Sequence, residues 1–119
     1  MTEEIVNKIC KEVFYTQPTE IIRNNVGLAG YVYTVQINNE KYVVKISDDK
    51  NLISGSTYWL NKVKDLDIPI PKVTSENTST SPYYFVMTFI PGKDLGPVYK
   101  SLLKKFGIRF QVLRITFQQ

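Results

Sequence analysis

The chain contains no histidine, and that absence removes a great deal. There is no imidazole base, no Ser-His-Asp or Cys-His catalytic arrangement, and no usual zinc site. Its one cysteine, Cys10, has no internal partner, so no disulfide closes within these 119 residues. A lone thiol fits a reducing, cytoplasmic setting. No apolar run approaches the roughly 18 residues of a membrane-spanning helix. The opening MTEEIVNKIC is acidic and amphipathic, with neither the basic nor the apolar region of a secretory signal. Acidic residues are also missing from one end. Residues 100–119 carry Lys100, Lys104, Lys105, Arg109 and Arg114 and no acid, whereas the first 99 residues carry ten bases against eleven acids. The net charge of +4 is therefore a composition shift at one end rather than a basic face.

What is present reads as one soluble α+β domain, with 43% hydrophobic and 22% charged residues. Residues 2–15 predict a helix. Ile5, Val6, Ile9, Cys10, Val13 and Phe14 recur at helical spacing, Glu3 and Glu4 favour the positive end of the dipole, and Gln17-Pro18 ends the segment. Residues 20–47 predict a three-stranded antiparallel meander: Glu20–Val26, Tyr31–Ile37 and Lys41–Ser47. A glycine-bracketed turn, 27–30, joins the first two strands, and an Asn38-Asn39 hairpin joins the second pair. Alternation places Tyr33, Val35 and Ile37 on one face and Val32 and Thr34 on the other. It likewise opposes Tyr42, Val44 and Ile46 to Val43 and Lys45.

Residues 48–51 read as a polar loop and 52–65 as a helix with Leu52, Ile53, Tyr58, Trp59, Leu60 and Val63 on one broad face. Ile68-Pro69-Ile70-Pro71 is a stiff connector, 72–75 a short strand, 76–82 a polar turn, and Tyr83–Phe89 a buried strand broken by Pro91-Gly92. A further helix is expected between Asp94 and Phe106, and 108–117 is β-prone. The expected division is a helix over 1–17, a body over 18–99 and a basic tail over 100–119.

Three features carry the chemistry. Glycines between antiparallel strands, at Gly27 and Gly30, let backbone amides approach an anion closely. Lys45 stands alone in the apolar strand Val43-Val44-Lys45-Ile46, where a lysine either reaches solvent or meets an anion. The apolar run Phe85–Ile90 ends abruptly, leaving backbone groups past a strand end. In this order, with a helix after the lysine, these features are laid out as in a kinase small lobe. Four segments carry the likeness: NNVGLAGYVYTVQI, KYVVKIS, STYWLNKVKDLDIPIPKV and YYFVMTFIPGKDL. Together they resemble the N-terminal lobe of the aminoglycoside phosphotransferase and choline-kinase-like family over roughly residues 18–100.

The resemblance implies a five-stranded antiparallel sheet with one inserted helix, preceded by the N-terminal helix, and ATP as the ligand. It implies that the turn at Gly27 and Gly30 lies over the phosphates and that Lys45 contacts the α- and β-phosphates. Met87 would line the back of the adenine pocket, Thr88 C=O and Ile90 N–H would bond the adenine edge, and Val32, Val43 and Ile70 would supply apolar walls. Two departures stand out. Kinases hold this lysine with a glutamate on the following helix, but no Glu or Asp lies between Asn51 and Lys64, which leaves Asp48 or Asp49 as substitutes or Lys45 unrestrained. The family's catalytic base and Mg²⁺ ligands belong to a large C-terminal lobe, and no acid follows Asp94 here. The expectation is an ATP-binding lobe with no catalytic or metal-binding residues of its own. The charge shift suggests a truncated or frame-shifted reading frame near residues 101–106; the other reading is a small protein with a basic, self-pairing last strand. Two further alternatives are a non-enzymatic interaction module, paired with itself or with a separately encoded large lobe, and an RNA-binding domain built on exposed tyrosines.

Overall fold

A computed structural model describes residues 2–24, 31–65, 70–90 and Lys104. Helix α1 spans Thr2–Phe14, with Glu3 and Glu4 in its first turn and Lys11 in its last, both favourable to the helix dipole. It ends in a left-handed residue, Tyr15 (φ 61°), whose amide closes on the Lys11 carbonyl at 3.1 Å. This is the usual αL stop, with tyrosine where glycine is commoner.

Strands β1 (Glu20–Asn24), β2 (Tyr31–Ile37) and β3 (Glu40–Ser47) form the meander. Asn38 and Asn39 both take positive φ, 48° and 71°, which a two-residue hairpin with matching twist requires. Helix α2 (Lys50–Val63) follows, then β4 (Val73–Asn77) and β5 (Tyr83–Thr88). All five strands are antiparallel in the order β1-β2-β3-β5-β4, so the expected α+β sheet with its inserted helix is present. No helix among the described residues is long and apolar enough to cross a membrane. The helix and β-prone segment expected after Asp94, and the tail 100–119, lie outside the described residues apart from Lys104.

The sheet is covered by a helix on each face. On one side Val6, Ile9 and Cys10 of α1 pack on Tyr33, Val35, Ile37, Val44, Ile46, Tyr84 and Val86. On the other side Ile53, Leu60 and Val63 of α2 pack on Val32, Val43, Phe85 and Met87, with Ile70. The alternation in β2 and β3 decides this division, since successive residues of a strand point to opposite faces.

Three details differ from the sequence reading. Lys50 and Asn51 belong to α2 rather than to a loop, because Asp49 caps the helix: its carboxylate accepts the Asn51 amide at 3.0 Å. The buried face of α2 is Ile53, Ser56, Thr57, Leu60 and Val63. Tyr58, expected inside, is 59% exposed and lies edge-on to Trp59 under the Lys62 ammonium. Helical geometry puts positions 53, 56, 57 and 60 in one stripe, and two hydroxyl residues occupy it. Finally, Glu76 and Asn77 belong to β4 rather than to the polar turn read over 76–82, and β4 contains a bulge. Val73 opposes Met87, yet Ser75 opposes Val86 and Glu76 opposes Phe85, so Thr74 is the extra residue.

Candidate functional site

The hairpin of β2 and β3 sets the register of the candidate residues. Val32 lies opposite Lys45, and Thr34 opposite Val43. On the far side of β3, Val43 lies opposite Met87 and Lys45 opposite Phe85. Residues directly opposite in an antiparallel pair share a face. Val32, Val43, Lys45, Phe85 and Met87 therefore form one block on the α2 side. Val32, Val43, Ile70 and Met87 are all buried in one cluster, with Ile90 half-buried against it. Gly27 and Gly30 lie outside the described residues.

Lys45 is 2% exposed, one of the larger buried side chains among the described residues. It does not behave as a surface lysine on a half-buried sheet, because its row neighbours Val32 and Phe85 and the covering helix shut out water. Burial lowers its pKa from 10.5 to about 8, since a charge is harder to hold away from water. Other polar side chains are buried on this side of the sheet: Thr34 and Ser47 on the strands and Ser56 and Thr57 on α2. Ser56 donates to the Leu52 carbonyl at 3.0 Å, and Ser47 Oγ accepts the Asp49 amide at 3.0 Å.

At the end of β5, Thr88 is tied to the connector before β4. Its amide donates to the Lys72 carbonyl at 3.0 Å, and its Oγ1 accepts the Lys72 amide at 2.9 Å. Thr88 and Ile90, the expected hinge residues, are both half-buried. The carboxylates suggested as substitutes for a helix glutamate have other bonds: Asp49 caps α2, and Asp48 accepts the Ser81 hydroxyl at 3.2 Å. The acid that does reach α2 is Glu76. Its Oε2 accepts the Thr57 hydroxyl at 2.6 Å. The sequence offers no direct sign of this contact, because it depends on the bulge at Thr74. Among the described residues no group of three or more His, Cys, Asp or Glu side chains is placed to hold a metal ion.

No family model matches the sequence, and no curated protein matches it. Solved structures do match. Aminoglycoside phosphotransferase APH(4)-Ia superposes with a TM-score of 0.60 at 12% identity, over 87% of this chain and 38% of that one. The fold is the kinase-like fold of the aminoglycoside phosphotransferases. A thermostable mutant of that enzyme, in ternary complex with AMP-PNP and hygromycin B, gives 0.58 at 16% identity over 73% of this chain and 29% of that one. Another, in ternary complex with ADP and hygromycin B, gives 0.57 at 15% identity over 83% of this chain and 36% of that one. The chain thus spans about a third of the length of the structures it matches.

Proposed function

We propose that this chain is the adenine-nucleotide-binding small lobe of a small-molecule phosphotransferase. The observation that carries the reading is the placement of Lys45. A buried lysine in an apolar block is costly to keep unless its charge serves a purpose. Here it sits on the same sheet face as Val32, Val43 and Met87, in a fold that it shares with proteins solved with AMP-PNP and ADP. An apolar wall with a single convergent cation suits a planar base joined to a polyphosphate. In this reading Val32, Val43, Ile70 and Met87 enclose the base, Thr88 and Ile90 bond its edge, and Lys45 meets the phosphates as a point charge.

ATP, when bound, supplies the transferable phosphoryl group. The residues named here bind and orient it, and no transfer step is assigned to them. No role is assigned to Mg²⁺ here.

The test is a thermal-shift titration with ATP, with and without Mg²⁺, on the wild type and on Lys45→Ala. A ligand that binds only the folded state raises Tm. A rise in the wild type that is lost in Lys45→Ala supports the reading. No rise at millimolar ATP, from a chain that melts cooperatively, overturns it.

A further inference from the structure

α2 lies over the strand that carries Lys45, and it is held there mainly by Ile53, Leu60 and Val63. Apolar contacts of this kind have no direction. They resist removal of the helix more strongly than they resist its sliding or turning. A directional contact helps to fix how the helix sits, and one such contact between α2 and the sheet is the hydrogen bond from Thr57 to Glu76 at 2.6 Å. A bond of this length to a carboxylate oxygen is one of the stronger kinds of hydrogen bond. The Thr57 hydroxyl also lies 3.2 Å from the Ser54 carbonyl, but its single proton favours the nearer carboxylate. Thr57 itself is only 3% exposed.

The bulge in β4 is what makes the contact. Had the register of Val73 with Met87 run on unbroken, Glu76 would oppose Tyr84, whose side chain belongs to the α1 face. The extra residue at Thr74 shifts the pairing by one. Glu76 then opposes Phe85 and falls on the α2 face. The Thr74 hydroxyl donates to the Val86 carbonyl at 3.2 Å, a bond from the bulged residue to the neighbouring strand. Lys45, Phe85 and Glu76 now form one row across β3, β5 and β4, with Phe85 in the middle.

We propose that Glu76 is a positioning residue for the nucleotide site: through Thr57 it holds α2 in place over Lys45. The inference rests on the nucleotide-binding reading above. Glu76 acts through the helix: its carboxylate is bonded to Thr57 of α2, and in the row it lies two strands from Lys45, with Phe85 of β5 at the middle position. The bulge at Thr74 is thereby a functional feature, which turns a solvent-edge acid into the anchor of a helix that has no acid of its own.

The experiment measures the ATP dissociation constant of the whole chain, well below Tm, for the wild type, Thr57→Val, Glu76→Ala, the double variant and Thr57→Ser. In parallel, the rate at which acetic anhydride modifies Lys45 is followed by mass spectrometry without nucleotide. Ile9→Val, in the α1 core, serves as a destabilised control. The expected result is a loss of ATP affinity of about three- to tenfold for either single variant, with no further loss in the double variant. Thr57→Ser restores binding, Lys45 modification speeds up in the two single variants, and Ile9→Val changes neither reading. If the wild type binds ATP and both single variants match it in affinity, or match only the change seen in Ile9→Val, the inference is overturned while the nucleotide reading stands. A wild type that does not bind ATP removes the reading itself, and the two failures are told apart in that first measurement.

Discussion

α1 and α2 cover opposite faces of the same five strands, but they bury different chemistry. Under α1 the packed side chains are almost wholly apolar; the polar atoms among them are the Cys10 thiol and the hydroxyls of tyrosines such as Tyr33. Under α2 the sheet and the helix bury Lys45, Ser56 and Thr57 among the apolar residues, and Glu76 at the sheet edge is hydrogen-bonded to Thr57. A face selected for stability alone would not keep a lysine and two hydroxyl residues inside. The contrast separates a face that holds the sheet together from one that keeps polar groups at a stated place. Places where a sequence breaks the rules of packing are where function is to be sought.

The strongest way to break this comparison is to cut one large side chain from each face. Phe85→Ala removes a ring that is 0% exposed beside Lys45, and Ile9→Ala removes a side chain that is 3% exposed under α1. Truncations of this kind cost about 3–5 kcal/mol for Phe and about 2–5 kcal/mol for Ile. Urea unfolding should show losses of similar size. ATP titration of the folded protein should then separate them, with affinity falling in Phe85→Ala and holding in Ile9→Ala. Equal effects on ATP binding would erase the distinction between the faces.

Much of the frame behind this contrast is legible in the sequence. The Asn38-Asn39 turn and the alternation on either side of it place Lys45 with Val43 and against Val44 and Ile46, and the structure agrees. The strand reading worked because period-two patterning and turn chemistry are local. The face of α2 was harder. The apolar pattern points Tyr58 inward, whereas geometry buries Ser56 and Thr57, and nothing local says that a hydroxyl will find a partner on β4. Asp49 read as loop because a capping residue and a loop residue are the same type. The bulge in β4 has no signature in Val73-Thr-Ser-Glu-Asn77, since no hydrophobic alternation there reports a shift of one. Glu76, whose role depends on that shift, was therefore out of reach.

A second test sharpens the comparison, because the two faces respond to alkaline pH with opposite signs. Under α2, burial lowers Lys45 from 10.5 to about 8. Below pH 8 it is charged in both the folded and the unfolded chain, so stability does not change with pH on its account. Between 8 and 10.5 the unfolded chain holds a proton that the folded chain has released, so stability rises with pH. Under α1, burial raises Cys10 from 9.0 to about 11. Between those values the folded chain keeps a proton that the unfolded chain has lost, and stability falls with pH. Each slope is about 1.4 kcal/mol per pH unit, or about 3 kcal/mol across each window. The wild type should therefore gain stability from pH 8 to 9 and level off above it. Lys45→Met should abolish the gain, and Cys10→Ala should let it continue. Urea midpoints taken up to about pH 10 check this; beyond that Tyr42, raised first by its bond to Glu40, and Tyr84, raised by burial, add to the sign of Cys10.

The smallest effect belongs to the α1 face alone. Tyr33 is 0% exposed, and its hydroxyl has no hydrogen-bond partner among the described residues. A buried hydroxyl without a partner costs about 1–3 kcal/mol relative to a paired one. Tyr33→Phe deletes that hydroxyl and keeps the ring in the cluster with Val6, Ile9 and Cys10, so stability should rise by about 1 kcal/mol. The counterpart under α2 has the opposite sign. Thr57→Val is as close a match in shape, yet it removes a donor that Glu76 uses, and the urea midpoint should fall. Removing a hydroxyl from one face thus strengthens the fold, and removing one from the other weakens it. If Tyr33→Phe instead destabilised the chain, the α1 face would hold a polar contact of its own, and the contrast between a purely cohesive face and a positioning face would have to be given up.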